Sequence, residues 1–285
     1  MPELPEVQTV VDNLNTLGLA KSTITKASVH WPKTISGMTP AEFRRKIQGL
    51  TISEFTRRGK YIVVRLSRGW TLLIHLRMTG RLNWAAKGAR RNKHEHVILQ
   101  LDQANELRFH DTRKFGRLTL TQTAQTILDK IGPEPLESTF TRQRFFNMLQ
   151  GKKRQMKPLL LDQSFIAGLG NIYVDEALWE SRIHPQRISS SLNEKEIATL
   201  HKAIRLVLKR GLKNRGTSLG TGKGNFYSVA GRRGRNADKL KVFRRTGEAC
   251  PRCKSAIKRL TVAQRSSHIC PECQIVGNKK KGPAK

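Results

Sequence analysis

The sequence lacks any apolar run long enough to cross a membrane. A span takes roughly 18–20 consecutive apolar residues, and the bulkiest short run, 72–76, is broken by His75. The first thirty residues contain Glu3, Glu6 and Asp12 and hold no apolar h-region of a secretory signal. These absences lead us to expect a soluble, intracellular chain with no membrane partner. Acid is scarce: 21 Asp+Glu stand against 54 Lys+Arg in 285 residues, a formal net charge of +33. Cysteine does not occur before Cys250, and no internal repeat is visible.

What is present rules out a disordered polycation. A hydrophobic fraction of 37% is modest but sufficient for a packed core. The length fits one large domain, or two ordinary ones plus a small module. A charge of this size attracts polyanions, nucleic acid first and anionic membrane second, with solubility or lineage bias as the bland alternative. Charge reports affinity for phosphate and is silent about chemistry.

All four cysteines fall in two pairs, Cys250-Pro251-Arg252-Cys253 and Cys270-Pro271-Glu272-Cys273. Sixteen residues separate the pairs, the spacing of a structural zinc site. Each C-x2-C forms a knuckle that aims two thiolates at one point, and two knuckles close a tetrahedron. A disulfide pair or a redox motif would need an oxidising compartment or a βαβ context, and neither is signalled. One structural Zn2+ is expected, with no open position for water. Ile257, Leu260, Val262 and Ile269, set among Lys and Arg, suit a short β-hairpin between the knuckles.

Along the chain, Val7, Val10, Val11, Leu14 and Leu17 form a helical stripe stopped by Gly18. From Thr23 to Thr121 short alternating segments predominate. Strands at 61–66 and 70–75 are joined by Ser67-Arg68-Gly69, and strands at 97–101 and 106–110 by the polar loop 102–105. Gly132-Pro133-Glu134-Pro135 is a break, and a domain boundary is placed there. The next part reads as helical, with one helix opening near Asn171 after Gly168-Leu169-Gly170. Another is capped by Asn193 and Glu196, stapled by Leu192 and Ile197, and expected to end at Gly211. Six glycines between Gly216 and Gly234 predict a flexible loop. Between Arg205 and Arg245 thirteen Lys/Arg meet one acid, Asp238. The tail 276–285 is basic and expected to be disordered. The fold class is therefore α+β: an N-terminal antiparallel β-sandwich with flanking helices over 1–132, and a helical domain over 133–236 that includes the Gly-rich loop 216–236. A zinc hairpin finger over 237–275 completes it.

The N-terminus, Met1-Pro2-Glu3-Leu4-Pro5-Glu6, allows two readings. Removal of Met1 would leave Pro2 as a secondary amine with a pKa of about 8, partly neutral at pH 7. Such an amine attacks carbonyl carbons and gives an iminium that has no N–H to lose, a good electron sink for elimination. Glu3 beside it would transfer protons. The bland reading makes Pro5 the first helical residue, with Glu3 and Glu6 complementing the helix dipole.

Three motifs, Met1-Pro2-Glu3-Leu4-Pro5-Glu6-Val7, Gly168-Leu169-Gly170-Asn171-Ile172-Tyr173 and the four-cysteine finger, together resemble the formamidopyrimidine-DNA glycosylase family of base-excision repair. The resemblance runs from Met1 to about Gln274, and Leu4-Pro5 favours this branch over the endonuclease VIII branch. It implies that Pro2 is the nucleophile at C1′ and Glu3 the general acid/base, supported by Glu6. Lys60 is implied to assist beside the scissile phosphates. Arg265 would grip a phosphate bidentately and aid δ-elimination. Base excision requires a flipped nucleotide and something to fill the hole. Met78, Arg113 and Phe115 match the inserted trio, although each read alone is an ordinary core or surface residue. His75 and His94, Lys152 and Lys157, and Asn171 at a helix N-terminus match DNA-contacting positions.

Some positions depart from the family pattern. Gln8, Lys114 and Ser267 are mild replacements for Glu, Arg and Thr. The Gly- and Arg-rich loop 216–236 matches poorly, which bears on lesion preference, and the basic tail is longer than usual. The expected protein is a monomeric, cytoplasmic, nucleoid-associated glycosylase/AP lyase. Its partner would be double-stranded DNA carrying oxidised purines or abasic sites. The alternatives are an endonuclease VIII-like enzyme for oxidised pyrimidines, and a non-catalytic basic zinc protein that binds nucleic acid.

Overall fold

The computed structural model describes residues 1–102, 104–220 and 225–276. Gln103, the centre of the Gly-rich loop at 221–224 and the tail at 277–285 lie outside the described residues. The chain forms two compact units, one of residues 1–130 with 211–237, the other of residues 131–210 with 238–285. The Gly-rich segment thus groups with the N-terminal sheets and not with the helix that precedes it in the chain.

The first unit opens with helix α1 (Leu4–Thr16). Pro5 sits in its first turn, where a missing N–H costs nothing. Val7, Val10, Val11 and Leu14 are buried as the stripe predicts, but Leu17 caps the helix and is 36% exposed. The helix stops one residue early because Gly18 turns the backbone to φ 68°. There follow β1 (Ile24–Val29), β2 (Ile35–Ser36), α2 (Pro40–Ile47), β3 (Ile52–Arg58), β4 (Tyr61–Leu66) and β5 (Thr71–His75). Then come β6 (Gly80–Ala86), β7 (Glu95–Leu101), β8 (Asn105–Asp111), β9 (Arg117–Thr121) and α3 (Gln125–Leu128). One sheet has the order β1-β7-β8-β6, the other β2-β9-β5-β4-β3. Every pairing is antiparallel except the short parallel contact of β2 with β9. Apolar residues from both sheets and from α1 and α2, including Val10, Phe43, Ile62, Ile74, Leu99 and Phe109, form one continuous core. Both expected strand pairs are present. In the first, left-handed Arg68 and Gly69 make the turn.

The second unit contains α4 (Arg142–Leu149), α5 (Met156–Leu161), α6 (Asn171–Glu180), α7 (Glu194–Lys213), β10 (Lys258–Val262) and β11 (Arg265–Ile269). The predicted capping box before α7 forms in both directions, Asn193 N–H to Glu196 Oε2 and Glu196 N–H to Asn193 Oδ1, each 2.9 Å. Leu192 and Ile197 are both buried. The helix passes Gly211 and ends at Lys213, since one glycine costs only about 1 kcal/mol inside a long amphipathic helix. Its last three residues group with the first unit. β10 and β11 form the expected finger hairpin, with left-handed Ala263 and Gln264 as its two-residue turn.

Candidate active site and nucleic-acid interface

In the first unit, Pro2 and Glu3 are buried at the head of α1. The Glu3 amide donates to Glu6 Oε2 at 2.9 Å. The other Glu6 oxygen accepts the Thr217 amide at 2.7 Å. One buried carboxylate therefore fixes both the start of α1 and the first residues of the Gly-rich segment. Glycine is strongly favoured at 216. Its φ is +81°, and a Cβ would lie 3.0 Å from Glu6 Cγ. That segment is more ordered at its base than a flexible loop. Isolated bridges pair Thr217 with Arg235 and Tyr227 with Arg233, and the Asn236 amide returns to Gly216 O.

Lys60 lies in the turn between β3 and β4 and is only 6% exposed. Arg57 braces this turn, donating to Gly59 O at 2.9 Å and to Gln8 Oε1 at 3.0 Å. Gln8 keeps the acceptor that a Glu would offer to this guanidinium, and its amide N–H also donates to Asp12 Oδ1 at 2.8 Å, which a carboxylate could not do. His75 is opposite Tyr61 in the β4–β5 pairing, ring edge to ring face with centroids 4.7 Å apart. Burial, then the charges of Arg77 and Lys60, push His75 down to about 3. Its Nδ1 accepts the Arg77 amide at 3.0 Å. The neutral ring thus carries its proton on Nε2, as a hydrogen-bond donor. The Lys60 charge acts on His75, so the structure brings these two predicted residues together.

Met78 and Phe115 are 37% and 47% exposed, so neither is a core residue. Arg113 is exposed and its guanidinium stands over the Phe115 ring at 4.9 Å. His94 packs edge-on against His110 at 5.6 Å. Burial lowers the pKa of both, and takes His110 to about 4.

The second unit carries the remaining predicted residues. Asn171 opens α6 behind Gly170, as expected, and its Nδ2 donates to Ser266 O at 3.0 Å. Its Oδ1 is buried without a hydrogen-bond partner among the described residues. Asn171, Phe243, Arg244, Thr246, Arg259, Ser266 and His268 line an open concavity of about 500 Å³. A helix N-terminus beside two guanidinium-bearing residues suits a phosphate. Arg265 directly follows the hairpin turn and is exposed. Lys152 is exposed as well.

Lys157 departs from the expectation of a DNA contact. It is fully buried, and its Nζ donates to Asp175 Oδ1 and to Ser266 O, both at 2.6 Å. Asp175 Oδ2 accepts the His268 amide at 2.9 Å. The pair therefore holds the finger hairpin onto α6 instead of meeting solvent. Its position in the sequence, just before Pro158 at a helix start, carries no sign of burial. Neighbouring Glu176 is also buried and accepts the amides of Lys241, Val242 and Phe243. Burial raises its pKa against the pull of those three donors. In the sequence the only signal of these two acids is that adjacent carboxylates stand inside an otherwise apolar helix.

The four cysteine sulfurs lie within 4.8 Å of one another. The pairs Cys250–Cys273, Cys253–Cys270 and Cys253–Cys273 are 4.0, 3.3 and 3.5 Å apart. A tetrahedron with Zn–S bonds of about 2.3 Å has edges of about 3.8 Å, so the donor set fits one structural zinc with no open position. Arg252, between the first two ligands, donates to Trp179 O and Glu180 O and stacks on Trp179 at 4.1 Å. The knuckle thereby caps the C-terminus of α6.

Comparison with known proteins agrees with this arrangement. Three family models match in order: the formamidopyrimidine-DNA glycosylase N-terminal domain over residues 1–118, the H2TH domain of the same glycosylases over 131–223, and the zinc finger found in FPG and IleRS over 247–275. A formamidopyrimidine-DNA glycosylase of Protochlamydia amoebophila is 46% identical over 274 residues, 96% of this chain and 99% of that one. One from Herpetosiphon aurantiacus is 44% identical over 276 residues, 96% of this chain and all of the other. Among solved structures, a Lactococcus lactis FPG mutant in complex with Fapy-dG containing DNA superposes with a TM-score of 0.89 at 36% identity, covering 96% of this chain and 100% of that one. The same organism's Fpg with abasic-site DNA gives 0.88 at 35%, covering 96% and 99%. With identity of this extent over nearly the whole of both chains, and the finger, the Asn171 helix start and the Pro2-Glu3 head all in their expected elements, the chain belongs to the formamidopyrimidine-DNA glycosylase family.

Proposed function

We propose that the protein is a bifunctional DNA glycosylase and abasic-site lyase. It acts as a monomer in the cytoplasm, on nucleoid DNA, and removes oxidised purines, formamidopyrimidine and 8-oxoguanine, in base-excision repair. The observation that carries this reading is the head of α1, where Glu6 locks the Glu3 backbone and so holds Pro2-Glu3 in one orientation.

After loss of Met1 the Pro2 nitrogen is a secondary amine. Its lone pair forms the N–C1′ bond of the flipped nucleotide as the C1′–base bond breaks; the base leaves with the electrons of its own bond and takes up the proton that the nitrogen sheds. Glu3 protonates the ring oxygen, C1′–O4′ opens, and an iminium forms. Glu3, now a carboxylate, takes the C2′ proton, and the electrons of that C–H bond flow to the cationic nitrogen. The 3′ phosphate departs by β-elimination, and loss of the C4′ proton to water then expels the 5′ phosphate by δ-elimination. Lys60 neutralises the scissile phosphates, and neutral His75 donates its Nε2–H to one of them. Arg265 holds a leaving phosphate bidentately. Asn171 and the N–H groups at the head of α6 bind the backbone. The +33 charge lets the protein search non-specific DNA, with strong salt dependence.

Borohydride added to the full-length protein with an 8-oxoguanine:C duplex is expected to trap a covalent adduct, mapped to Pro2 by mass spectrometry. A residue retained ahead of Pro2, which turns its nitrogen into an amide, is expected to abolish it. Absence of an adduct with every oxidised-base and abasic duplex would remove the enzyme reading and leave the non-catalytic zinc protein. Preference for thymine glycol over 8-oxoguanine in competition would move it to the oxidised-pyrimidine branch.

A further inference from the structure

Asp111 ends β8 and is fully buried in the first unit. Its Oδ1 is met by the Thr79 hydroxyl in a short contact and by the Arg113 amide at 3.2 Å. Its Oδ2 accepts the Gly116 amide at 2.7 Å. The Arg113 amide also points at Thr79 Oγ1 at 3.2 Å. The hydroxyl thus gives its proton to the carboxylate and offers a lone pair to Arg113. Main-chain bonds add a third segment. The Asp111 amide donates to His94 O at 2.9 Å, and Asp111 O is met by His96 Nε2 at 2.7 Å. A carbonyl only accepts, so His96 carries its proton on Nε2.

One residue therefore ties together the turn 76–80, the loop 112–116 and the strand edge at 94–96. Both apical segments are held in conformations that their residues rarely adopt alone. Arg77 and Lys114 have φ of 53° and 61°. Any side chain at position 116 would push the Phe109 ring aside, because a Cβ there would lie 2.3 Å from Phe109 Cζ and 3.2 Å from Asp111 Oδ2. The apices of these segments carry Met78, Arg113 and Phe115. Exposed apolar side chains gain little from their own surroundings, so their direction is set by the backbone beneath them.

We propose that Asp111, through Thr79, is the positioning residue that sets Met78, Arg113 and Phe115 as a single wedge. This rests on the reading of those three as the groups that fill the space left by a flipped nucleotide. Asp111 touches no substrate. Its site presents the Thr79 hydroxyl and the amides of Arg113 and Gly116, all donors. Only an acceptor-only group satisfies them, and an amide in its place would set N–H against N–H.

The test uses full-length protein carrying Thr79→Val, Thr79→Ser or Asp111→Asn. Single-turnover excision of 8-oxoguanine opposite C is measured beside borohydride trapping on a preformed abasic site, where no base has to be extruded. Thr79→Val and Asp111→Asn are expected to lower excision by about tenfold or more, since small misplacements of positioning groups have effects of that order. Trapping is expected to fall much less. Thr79→Ser, which keeps the hydroxyl, is expected to restore excision. Should Asp111→Asn fail to fold, Thr79→Val and its serine partner carry the test. Wild-type excision in Thr79→Val, or equal losses of excision and trapping, would overturn the proposal. A wild-type protein that neither excises nor traps would instead sink the glycosylase reading beneath it.

Discussion

Glu6 accepts the Thr217 amide at 2.7 Å, across 211 positions of the chain, while holding the Glu3 amide at 2.9 Å with its other oxygen. The residue that shapes the proposed nucleophile's helix thus also seats the Gly-rich segment. Glu6→Gln keeps one acceptor oxygen and turns an N–H against the other donor. The expected cost is about 1–3 kcal/mol, read as a lower urea midpoint together with slower excision. Gly216→Ala should lose about 1 kcal/mol or more from its positive φ alone. A variant of either kind with wild-type stability and excision would show that this carboxylate does not link the two segments.

Acid should weaken the fold through buried histidine. His75 is held at about 3 and His110 at about 4, against 6.5 for the free side chain. Between those values and 6.5 the unfolded chain binds more protons than the folded one, so stability falls as pH drops through that window. For His75 the loss at pH 5 is about 2 kcal/mol. Urea unfolding at pH 7 and pH 5 should show it. His75→Gln and His110→Gln should each shrink the difference between the two pH values, and an unchanged difference would contradict the burial of these rings.

Zinc should be stoichiometric and structural. A colorimetric metal assay on denatured protein should give one zinc per chain. Cys253→Ser or exhaustive chelation should loosen the finger and weaken DNA binding. No zinc-dependent step is expected in the chemistry, because four thiolates leave no open coordination position. Full duplex affinity in a metal-free protein would contradict this.

Lys157 and Asp175 form a fully buried pair. Removing one partner leaves a charge without its counterion, so Lys157→Met should cost about 3–5 kcal/mol. The double change Lys157→Met with Asp175→Leu should recover part of that loss, although the His268 and Ser266 bonds are forfeited. Urea unfolding of the three variants checks the order. If Lys157→Met weakened DNA binding at wild-type stability, the residue would be a direct contact after all.

Much of this was legible in the chain because it depends on neighbours in sequence. The α1 stripe, the Asn193–Glu196 capping box and the two C-x2-C knuckles each rest on contacts within a few residues, and periodicity or spacing reports such contacts directly. The cysteine quartet was identifiable for the same reason, whereas Pro2 read alone fits a helix start equally and was singled out only by the family resemblance. What escaped depends on pairing across long separations. Nothing local to Asp111 says that Thr79 lies beneath it, and nothing near Lys157 announces Asp175 or the Ser266 carbonyl. Arg108 meets Glu106 at 2.6 Å within β8, a local contact, but it reaches Glu95 at 3.0 Å only because β7 and β8 pair in one register.

The sequence by itself determined the class of partner and the zinc finger, because charge and thiolate spacing act without a fold around them. Tertiary structure alone decided that Lys157 is internal, that Met78 and Phe115 are exposed, that His75 stays neutral and that Glu6 joins α1 to residue 217. Each of those outcomes is set by desolvation and hydrogen-bond geometry, and both arise only when distant segments exclude water from the same place.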